Sequence, residues 1–380
     1  PVDDDVQVFA VSRTRVAWHR IAGGRVDLEL RLRSLRCGID EDTCAKGAGR
    51  EAVEGRLTPF DLAAAHSLYR DLVAPVESAL AGTDRLFVTA SGAFGALPLG
   101  LLLTAPPRPG TGATTPLAGA PWLEERYALT TLPSVASLRA SPVRPPAPPH
   151  RRTFLGFGAP VLSPADTTRA SFTALPGAAA ELRNMARALG ASPDRVRLGA
   201  RATEAAVKGS PDLSRATVIA FATHGLMSGE IPGQDEPGLL LTAPVRDRGG
   251  DDGILTASEA AALDLSADWV ILSACNTAGG SGRPGSDTLS GLARAFLYAG
   301  ARALLVTHWR VFDASTAALT VQTLAIQGAN PGITKGQALQ RAMRVVRTGR
   351  QPDGSPLPGW TPDWAHPAHW APFVLISAGD

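Results

Sequence analysis

The chain has few cysteines, almost no net charge and no long apolar run. Its 380 residues include three cysteines, too few for a secreted scaffold held together mainly by disulfides. The 37 basic and 35 acidic side chains leave a net charge of +2, which gives no argument for nucleic acid or an anionic membrane as a partner. No apolar run approaches the roughly 18 to 20 residues of a spanning helix. We therefore expect no nucleic-acid partner and no membrane span.

Short motifs of several enzyme classes are also absent. The glycine-rich residues 279–285 have neither the Lys-Ser/Thr pair of a P-loop nor the glycine spacing of a dinucleotide-binding turn. The chain has no Gly-x-Ser-x-Gly elbow of a serine hydrolase. It also has no His-Glu-x-x-His or paired Cys-x-x-Cys motif for zinc. We interpret the glycine-rich stretch as a loop, and we expect no cofactor.

The composition provides enough apolar side chains for a large core. A hydrophobic content of 44% with 19% charged residues is typical of a soluble globular protein. After residue 150, short apolar runs alternate with helical patterns, which predicts right-handed crossovers and a mostly parallel sheet in a three-layer α/β fold. The proline-rich residues 141–149 are the best candidate for a domain boundary, because proline at that density prevents regular strand pairing.

The first 75 or so residues indicate a smaller region of strands and a helix. Residues 6–35 suggest β structure, and residues 26–33 alternate apolar and charged side chains with the period of two that a half-buried strand has. Thr58 followed by Pro59 predicts the N-cap and first position of a helix. We expect a β-hairpin and a helix to precede the main sheet.

Two apolar runs end in residues that can carry chemistry. Residues 269–272 lead to Cys275, and residues 217–222 lead to His224, which lies 51 positions earlier (275 − 224). Both runs predict buried strands, because parallel strands covered on both faces show no polar alternation. If the strands are neighbours, the thiol and the imidazole meet at the carboxyl edge, where open α/β sheets bind ligands. Such a pair is a candidate nucleophile and base.

Four motifs, in this order, resemble the CHAT domain, a family of bacterial peptidases related to caspases and separases and often joined to TPR repeats. They are Ala222-Thr223-His224-Gly225, Leu272-Ser273-Ala274-Cys275-Asn276-Thr277, Gly291-Leu292-Ala293-Arg294-Ala295-Phe296 and Trp309-x-Val311-x-Asp313. Residues 366–376 are similar to the family's ending, His-Pro…Trp-Ala-x-Phe-x-Leu-Ile. A weaker match runs through Leu175-Pro176-Gly177 with Glu181, and the resemblance covers about residues 84–380.

The resemblance implies a cysteine endopeptidase with a caspase-like three-layer sandwich. Cys275 would be the nucleophile, His224 would transfer the proton, and the backbone N–H groups of Gly225 and Cys275 would form the oxyanion hole. Asp313 matches the acidic residue that binds a basic P1 side chain in a separase-like S1 pocket. Residues 1–150 would then hold the N-terminal region and a pseudo-caspase-like subdomain, and residues 151–380 would form the catalytic subdomain.

Alternatives to each of these roles stay open in the sequence. A buried cysteine is more often a small hydrophobe than a nucleophile, and Asp313 could cap the helix that begins after it, a role that does not exclude contact with a P1 side chain. Cys37 and Cys44 could be bridged or could be two free thiols. The whole domain could also be a catalytically silent scaffold for protein–protein interaction.

The expected partners are a protein or peptide substrate and a regulatory partner such as a TPR-type protein. Residues 244–253 carry Arg246 and Arg248, so this loop is either a self-cleavage or autoinhibitory segment or a solvated surface loop. We expect a cytoplasmic protein, with a signal peptide that has already been removed as the open alternative. For His308, His366 and His369 we expect structural roles.

Overall fold

The fold is described from a computed structural model, for residues 4–40, 57–107, 117–140, 153–162, 169, 172–244, 250–274, 290–309 and 311–377. In chain order, the strands are β1 Val6–Val11, β2 Val16–Ile21, β3 Arg85–Val88, β4 Ala128–Thr131, β5 Phe154–Gly158, β6 Val196–Leu198, β7 Val218–Ala222, β8 Gly225–Leu226, β9 Gly238–Leu240, β10 Ile254–Thr256, β11 Trp269–Ser273, β12 Ala303–Thr307 and β13 Phe373–Ser377.

The α-helices are α1 Arg25–Cys37, α2 Leu62–Leu72, α3 Leu123–Arg126, α4 Ser137–Ala140, α5 Ala178–Ala188, α6 Glu204–Lys208, α7 Ala257–Ala261, α8 Gly291–Tyr298, α9 Asp313–Ala329, α10 Lys335–Thr348 and α11 Pro367–Trp370. Short 3-10 helices lie at Ala74–Leu80, Gly92–Ala96, Leu99–Leu101, Leu117–Gly119, Pro193–Arg195, Gly199–Arg201, Leu213–Arg215 and Pro362–Ala365.

An eight-stranded sheet in the order β3-β4-β13-β12-β11-β7-β5-β6 forms the centre of the fold. Neighbouring strands pair in parallel except β12 and β13, which pair antiparallel. The predicted α/β class with a mostly parallel sheet is therefore confirmed. A separate antiparallel sheet, β10-β9-β8, follows β7 at the carboxyl edge.

The central strands are buried on both faces, as their unbroken apolar sequences predict. All five residues of β7, of β11 and of β12 are buried. Side chains alternate along a strand, so Val218 and Ala220 face one core while Ile219 and Phe221 face the other. The first core also contains residues of α5, α9 and α10, and the second contains residues of α6, α7 and α8. These two cores make the predicted three layers.

The N-terminal region contains the predicted hairpin, β1 with β2, but not the third predicted strand. Residues 26–33 belong to helix α1. The alternation was misleading because two periods coexist there: Leu28, Leu32 and Leu35 have the i, i+4, i+7 spacing of a helix and are at most 5% exposed, whereas Val26 and Leu30 are 54% and 58% exposed. Leu, Arg and Glu favour a helix, and this propensity decides between the two patterns.

The helix predicted to start at Thr58 begins later. Asp61 is the N-cap of α2, and its side chain accepts a hydrogen bond from the N–H of Ala64 at 2.9 Å.

In the central sheet, β4 pairs with β13, so strands from both sides of residue 150 share one sheet. The division of the chain at residue 150 stays a prediction. Among the described residues, no helix is long and apolar enough to cross a membrane.

Candidate active site

The two strands that lead to His224 and Cys275 are direct neighbours. β7 and β11 pair in parallel over five residues, and the register places Ala222 opposite Ser273. In sequence, His224 and Cys275 each come two positions after this last pair. The expectation that adjacent parallel strands lead to these two residues is confirmed. Cys275 lies outside the described residues, which reach the buried Ala274.

The imidazole of His224 is held in one orientation by its surroundings. The half-buried side chain places Nε2 at 2.7 Å from the carbonyl oxygen of Thr173. A carbonyl can only accept, so Nε2 carries the hydrogen and Nδ1 is the basic nitrogen of the neutral ring. The ring of Phe172 lies against the imidazole with a centroid separation of 5.2 Å. The arrangement therefore leaves Nδ1 as the nitrogen that can accept a proton from another group.

Gly225 follows His224 as the first residue of β8, where it pairs with Leu239 of β9. The N–H of Leu240 donates to the carbonyl oxygen of His224 at 2.9 Å, which marks His224 and Leu240 as a hydrogen-bonded pair. Hydrogen-bonded and non-hydrogen-bonded pairs alternate along an antiparallel ladder. The next pair, Gly225 with Leu239, is therefore a non-hydrogen-bonded one, and the N–H of Gly225 is directed away from β9.

Asp313 is the first residue of α9, and its side chain is exposed. The N-cap of α9 is Phe312, and no side chain forms a cap hydrogen bond there, so the alternative in which Asp313 caps the helix is wrong. Instead, Asp313 Oδ2 accepts a hydrogen bond from the N–H of Gly177 at 3.0 Å. A Cβ at position 177 would lie 2.5 Å from the Asp313 Cβ, so this approach requires glycine.

One short segment, residues 172–177, connects two of the predicted site residues. At one end of it, the carbonyl of Thr173 accepts the hydrogen bond from His224, and at the other end the N–H of Gly177 donates to Asp313. The histidine after β7 and the aspartate at the start of α9 are therefore fixed against the same stretch of backbone. No side-chain pattern predicts this connection, because both contacts use main-chain atoms of the segment.

A buried carboxyl group lies behind the site. Glu181 of α5 is 4% exposed; its Oε2 accepts from Ser273 Oγ at 3.0 Å and its Oε1 accepts from Thr320 Oγ1 at 3.1 Å. Burial raises the pKa of Glu181 to about 7, although the hydrogen bonds from Ser273 and Thr320 oppose this rise. The nearby charge of Asp313 raises it further. A sequence signal existed, since Glu181 lies within the apolar stripe formed by Ala178, Leu182, Met185 and Ala186.

Two other histidines near the edge of the sheet, His366 and His369, make hydrogen bonds within the fold. His366 is the N-cap of α11: its Nδ1 accepts from the N–H of Ala368, and its Nε2 contacts the Thr58 carbonyl at 3.0 Å. His369 Nδ1 contacts Ser315 Oγ at 2.9 Å. Burial lowers the pKa of His308 to about 3 and that of His366 and His369 to about 4. Within the described ranges, no group of three or more His, Cys, Asp and Glu side chains could hold a metal ion.

Two further predictions concern cysteine pairing and the arginine loop. Cys37 is disulfide-bonded, so the alternative of two free thiols at Cys37 and Cys44 is wrong for Cys37. Cys44 lies outside the described residues, and so do Arg246 and Arg248. Whether these arginines are self-cleavage sites therefore stays a prediction. The cytoplasmic location also stays a prediction, and a disulfide is more typical of an oxidising compartment.

Comparison with known proteins gives a family and two curated relatives. The model of the CHAT domain family matches residues 62–380. Tetratricopeptide repeat protein 28 of Mus musculus is 28% identical over 293 residues, which are 68% of this chain and 11% of the relative. The protein of the same name from Homo sapiens is 24% identical over 370 residues, which are 87% of this chain and 14% of the relative. The chain thus corresponds to a small part of these relatives' length.

Two solved structures are weakly similar to this chain. One is the Arg specific cysteine proteinase gingipain R, at 12% identity and a TM-score of 0.33, covering 60% of this chain and 46% of that one. The other is the Saccharomyces cerevisiae separase–securin complex, at 12% identity and a TM-score of 0.36, covering 67% of this chain and 14% of that one.

Proposed function

The chain belongs to the CHAT domain family, and from this premise we propose that it is a cysteine endopeptidase that cleaves peptide bonds after Arg or Lys. The observation that carries the proposal is the parallel pairing of β7 with β11. It brings the ends of two buried strands together, with His224 after one and Cys275 after the other in sequence. A thiol and an oriented imidazole at one sheet edge are what nucleophilic catalysis requires.

In this proposal, His224 moves the proton and Cys275 forms the covalent bond. Nδ1 of His224 accepts the thiol proton, because Nε2 donates to Thr173. The thiolate attacks the scissile carbonyl carbon, and a C–S bond forms. The imidazolium then donates its Nδ1 proton to the leaving amine, the C–N bond breaks, and an acyl-enzyme remains. Water attacks the acyl carbon while Nδ1 takes one of its protons; the C–S bond then breaks, the carboxylic acid product leaves, and the imidazolium returns the proton to the thiolate.

The oxyanion that develops on the substrate carbonyl would be bound by backbone N–H groups of Gly225 and Cys275. For Gly225, the ladder next to His224 supports this role, because its N–H is directed away from β9. One such donor contributes about 3 to 4 kcal/mol to the transition state in other hydrolases. Glycine also leaves space for the approaching peptide, since it has no Cβ.

The P1 preference is assigned to Asp313. Its carboxylate is exposed, and its contact with Gly177 uses Oδ2. A carboxylate oxygen can accept more than one hydrogen bond, so the group can still bind a guanidinium through both oxygens. Gly177 would then hold the carboxylate in place for a P1 Arg, and less strongly for a P1 Lys, which binds as a point charge.

Regulation by a partner is part of the same proposal. The curated relatives bear the name of tetratricopeptide repeat proteins, and this chain matches 11% and 14% of their lengths. We propose that a TPR-type partner, or cleavage of the chain at Arg246 or Arg248, controls access to the site. Incubation of wild-type protein and Cys275→Ala in parallel, followed by intact mass spectrometry, tests self-cleavage: identical masses would contradict it.

The proposed specificity is tested with peptides that differ only at P1. We expect Asp313→Asn to lower kcat/KM for a P1 Arg peptide by about 10- to 100-fold, which corresponds to the loss of one charged hydrogen-bonded contact, and to leave a P1 norleucine peptide nearly unchanged. Asp353→Asn is the control, because it makes the same charge change in a loop where Asp353 contacts Ser355. An equal loss for both peptides would contradict the role of Asp313.

The alternative function is a catalytically silent scaffold, and the same peptides separate it from a peptidase. If the purified wild-type protein cleaves no peptide at Arg or Lys, with or without its partner, the peptidase proposal fails. Cleavage that persists in Cys275→Ala would also contradict it, since a contaminating enzyme would then account for the activity.

A further inference from the structure

Glu181 connects the strand that leads to Cys275 with the helix that begins at Asp313. One oxygen of the carboxyl group accepts from Ser273, the last residue of β11, and the other accepts from Thr320 of α9. Thr320 lies seven positions, or about two helical turns, after Asp313. The two elements that present the nucleophile and the P1 contact are therefore joined through one buried side chain.

The carboxyl group of Glu181 differs from the other deeply buried glutamates in having no cationic partner. Glu124 is paired with Arg347, and Glu204 is paired with Lys208. Over the part of the chain that the structure describes, no Lys, Arg or His side chain forms an ion pair with Glu181. A buried carboxyl without a cation costs stability, so its contribution is better sought in function than in folding.

We propose that Glu181 is a positioning residue of the proposed peptidase, which holds the end of β11 against α9 in its ionised form. The inference rests on the proposed function. An ionised carboxylate accepts a hydrogen from each of the two hydroxyl groups, whereas a protonated one has a hydroxyl of its own that must donate. Thr320 Oγ1 also lies 3.0 Å from the Thr316 carbonyl, so its hydrogen has another acceptor available when Glu181 is neutral.

Protonation of Glu181 would therefore exchange one set of hydrogen bonds for another. Ser273 would still donate to Oε2, but the contact on the α9 side would reverse, with the carboxyl hydroxyl donating to Thr320 Oγ1, so the joint between β11 and α9 would differ between the two forms. Among the charged groups of the described residues, Asp313 of α9 acts on Glu181, while Ser273 of β11 and Thr320 of α9 face it as neutral hydroxyls. The pKa of Glu181, raised to about 7 by burial, puts this exchange within the working range of a peptidase.

The test compares pH profiles of kcat and KM for a P1 Arg peptide between about pH 5.5 and about pH 8.5. In Glu181→Gln, we expect kcat at the alkaline end of this pH range to fall by about 10- to 100-fold, because a small misplacement of a catalytic group causes a loss of this size. KM should stay within about twofold of the wild-type value. The inflection near 7 that Glu181 contributes should be absent. Glu204→Gln is the matched control, a buried glutamate that contacts the backbone N–H groups of Asp252 and Gly253 and should keep the wild-type profile.

Ser273→Ala provides a second variant that keeps the carboxyl. If Ser273 and Glu181 act as one unit, the double variant should lose no more kcat than the more severe single variant. Independent, additive losses would overturn the coupling, and a wild-type pH profile in folded Glu181→Gln would overturn the proposal.

A readout that does not need peptide cleavage separates this inference from the proposed function. The rate at which iodoacetamide alkylates Cys275, followed by peptide mapping, should rise with pH in both proteins as the thiol ionises, and wild type should show an additional step near pH 7 that is absent from Glu181→Gln. If wild type cleaves no peptide while this difference persists, the peptidase proposal fails and the positioning role stands. Equal alkylation profiles would overturn the role of Glu181.

Discussion

Replacement of Glu181 by Gln should change the pH dependence of stability in a direction set by its environment. The pKa of Glu181 is raised from 4.5 to about 7 in the folded protein, because the group is buried. An acid with a raised folded pKa ionises first in the unfolded chain. Its stabilising effect is therefore complete below pH 4.5, decreases as the pH rises toward 7, and is lost above it.

The size of this change in stability follows from the difference between the pKa of Glu181 in the folded protein and its ordinary value of 4.5. A difference of about 2.5 pKa units at about 1.4 kcal/mol each gives a total of about 3 kcal/mol, of which about 2 kcal/mol falls between pH 5 and pH 8. Gln cannot ionise. The free energy of unfolding of Glu181→Gln relative to wild type should therefore increase by about 2 kcal/mol over this range, whatever fixed packing cost the substitution has.

Urea unfolding at a series of pH values measures this difference. Asp353→Asn is the control, because hydrogen bonds from Ser355 lower the pKa of Asp353. A carboxyl group with a lowered folded pKa stabilises the protein above its unfolded pKa of 3.8, and this stabilisation is lost as the pH falls below that value. The stability difference between Asp353→Asn and wild type should therefore be constant between about pH 5 and pH 8. A stability difference for Glu181→Gln that is equally flat would refute the conclusion that burial controls this carboxyl.

Two further substitutions test the packing that supports the site. Arg347→Met should lower the free energy of unfolding by about 3 to 5 kcal/mol, because it leaves the buried Glu124 without the cation that binds it at 3.2 Å, and adding Glu124→Gln should recover part of the loss in urea unfolding. Gly300→Ala should lower the stability by about 1 to 3 kcal/mol, since φ is +110° there and a Cβ would lie 2.2 Å from the carbonyl oxygen of Leu265; an unchanged melting temperature would contradict this strain.

The central strands could be predicted from sequence because strands buried on both faces consist of unbroken apolar runs. The runs that end before His224 and Cys275 are apolar on both faces, and they form the neighbouring strands β7 and β11. The order of the whole sheet could not be derived in this way. β13, the last strand, lies between β4 and β12, and this placement depends on contacts between residues that are far apart in the chain.

The local errors have identifiable causes. In α1, the same leucines satisfy a period of two and a helical spacing, and burial of Leu28, Leu32 and Leu35 shows which one the fold uses. Around the site, the contact of His224 with Thr173 uses a main-chain carbonyl, for which any residue would serve. Glu181 was visible as a charged residue in an apolar helical stripe, but its partners Ser273 and Thr320 come from other elements and required the fold.

The most direct test of the central claim is covalent labelling of wild-type protein with an arginine-directed acyloxymethyl ketone, followed by peptide mapping. We expect one adduct per chain, located on Cys275, and its loss in His224→Ala and in Cys275→Ala. No adduct on Cys275, or labelling that is unchanged by Cys275→Ala, would contradict the assignment of a cysteine peptidase site at the joined ends of β7 and β11.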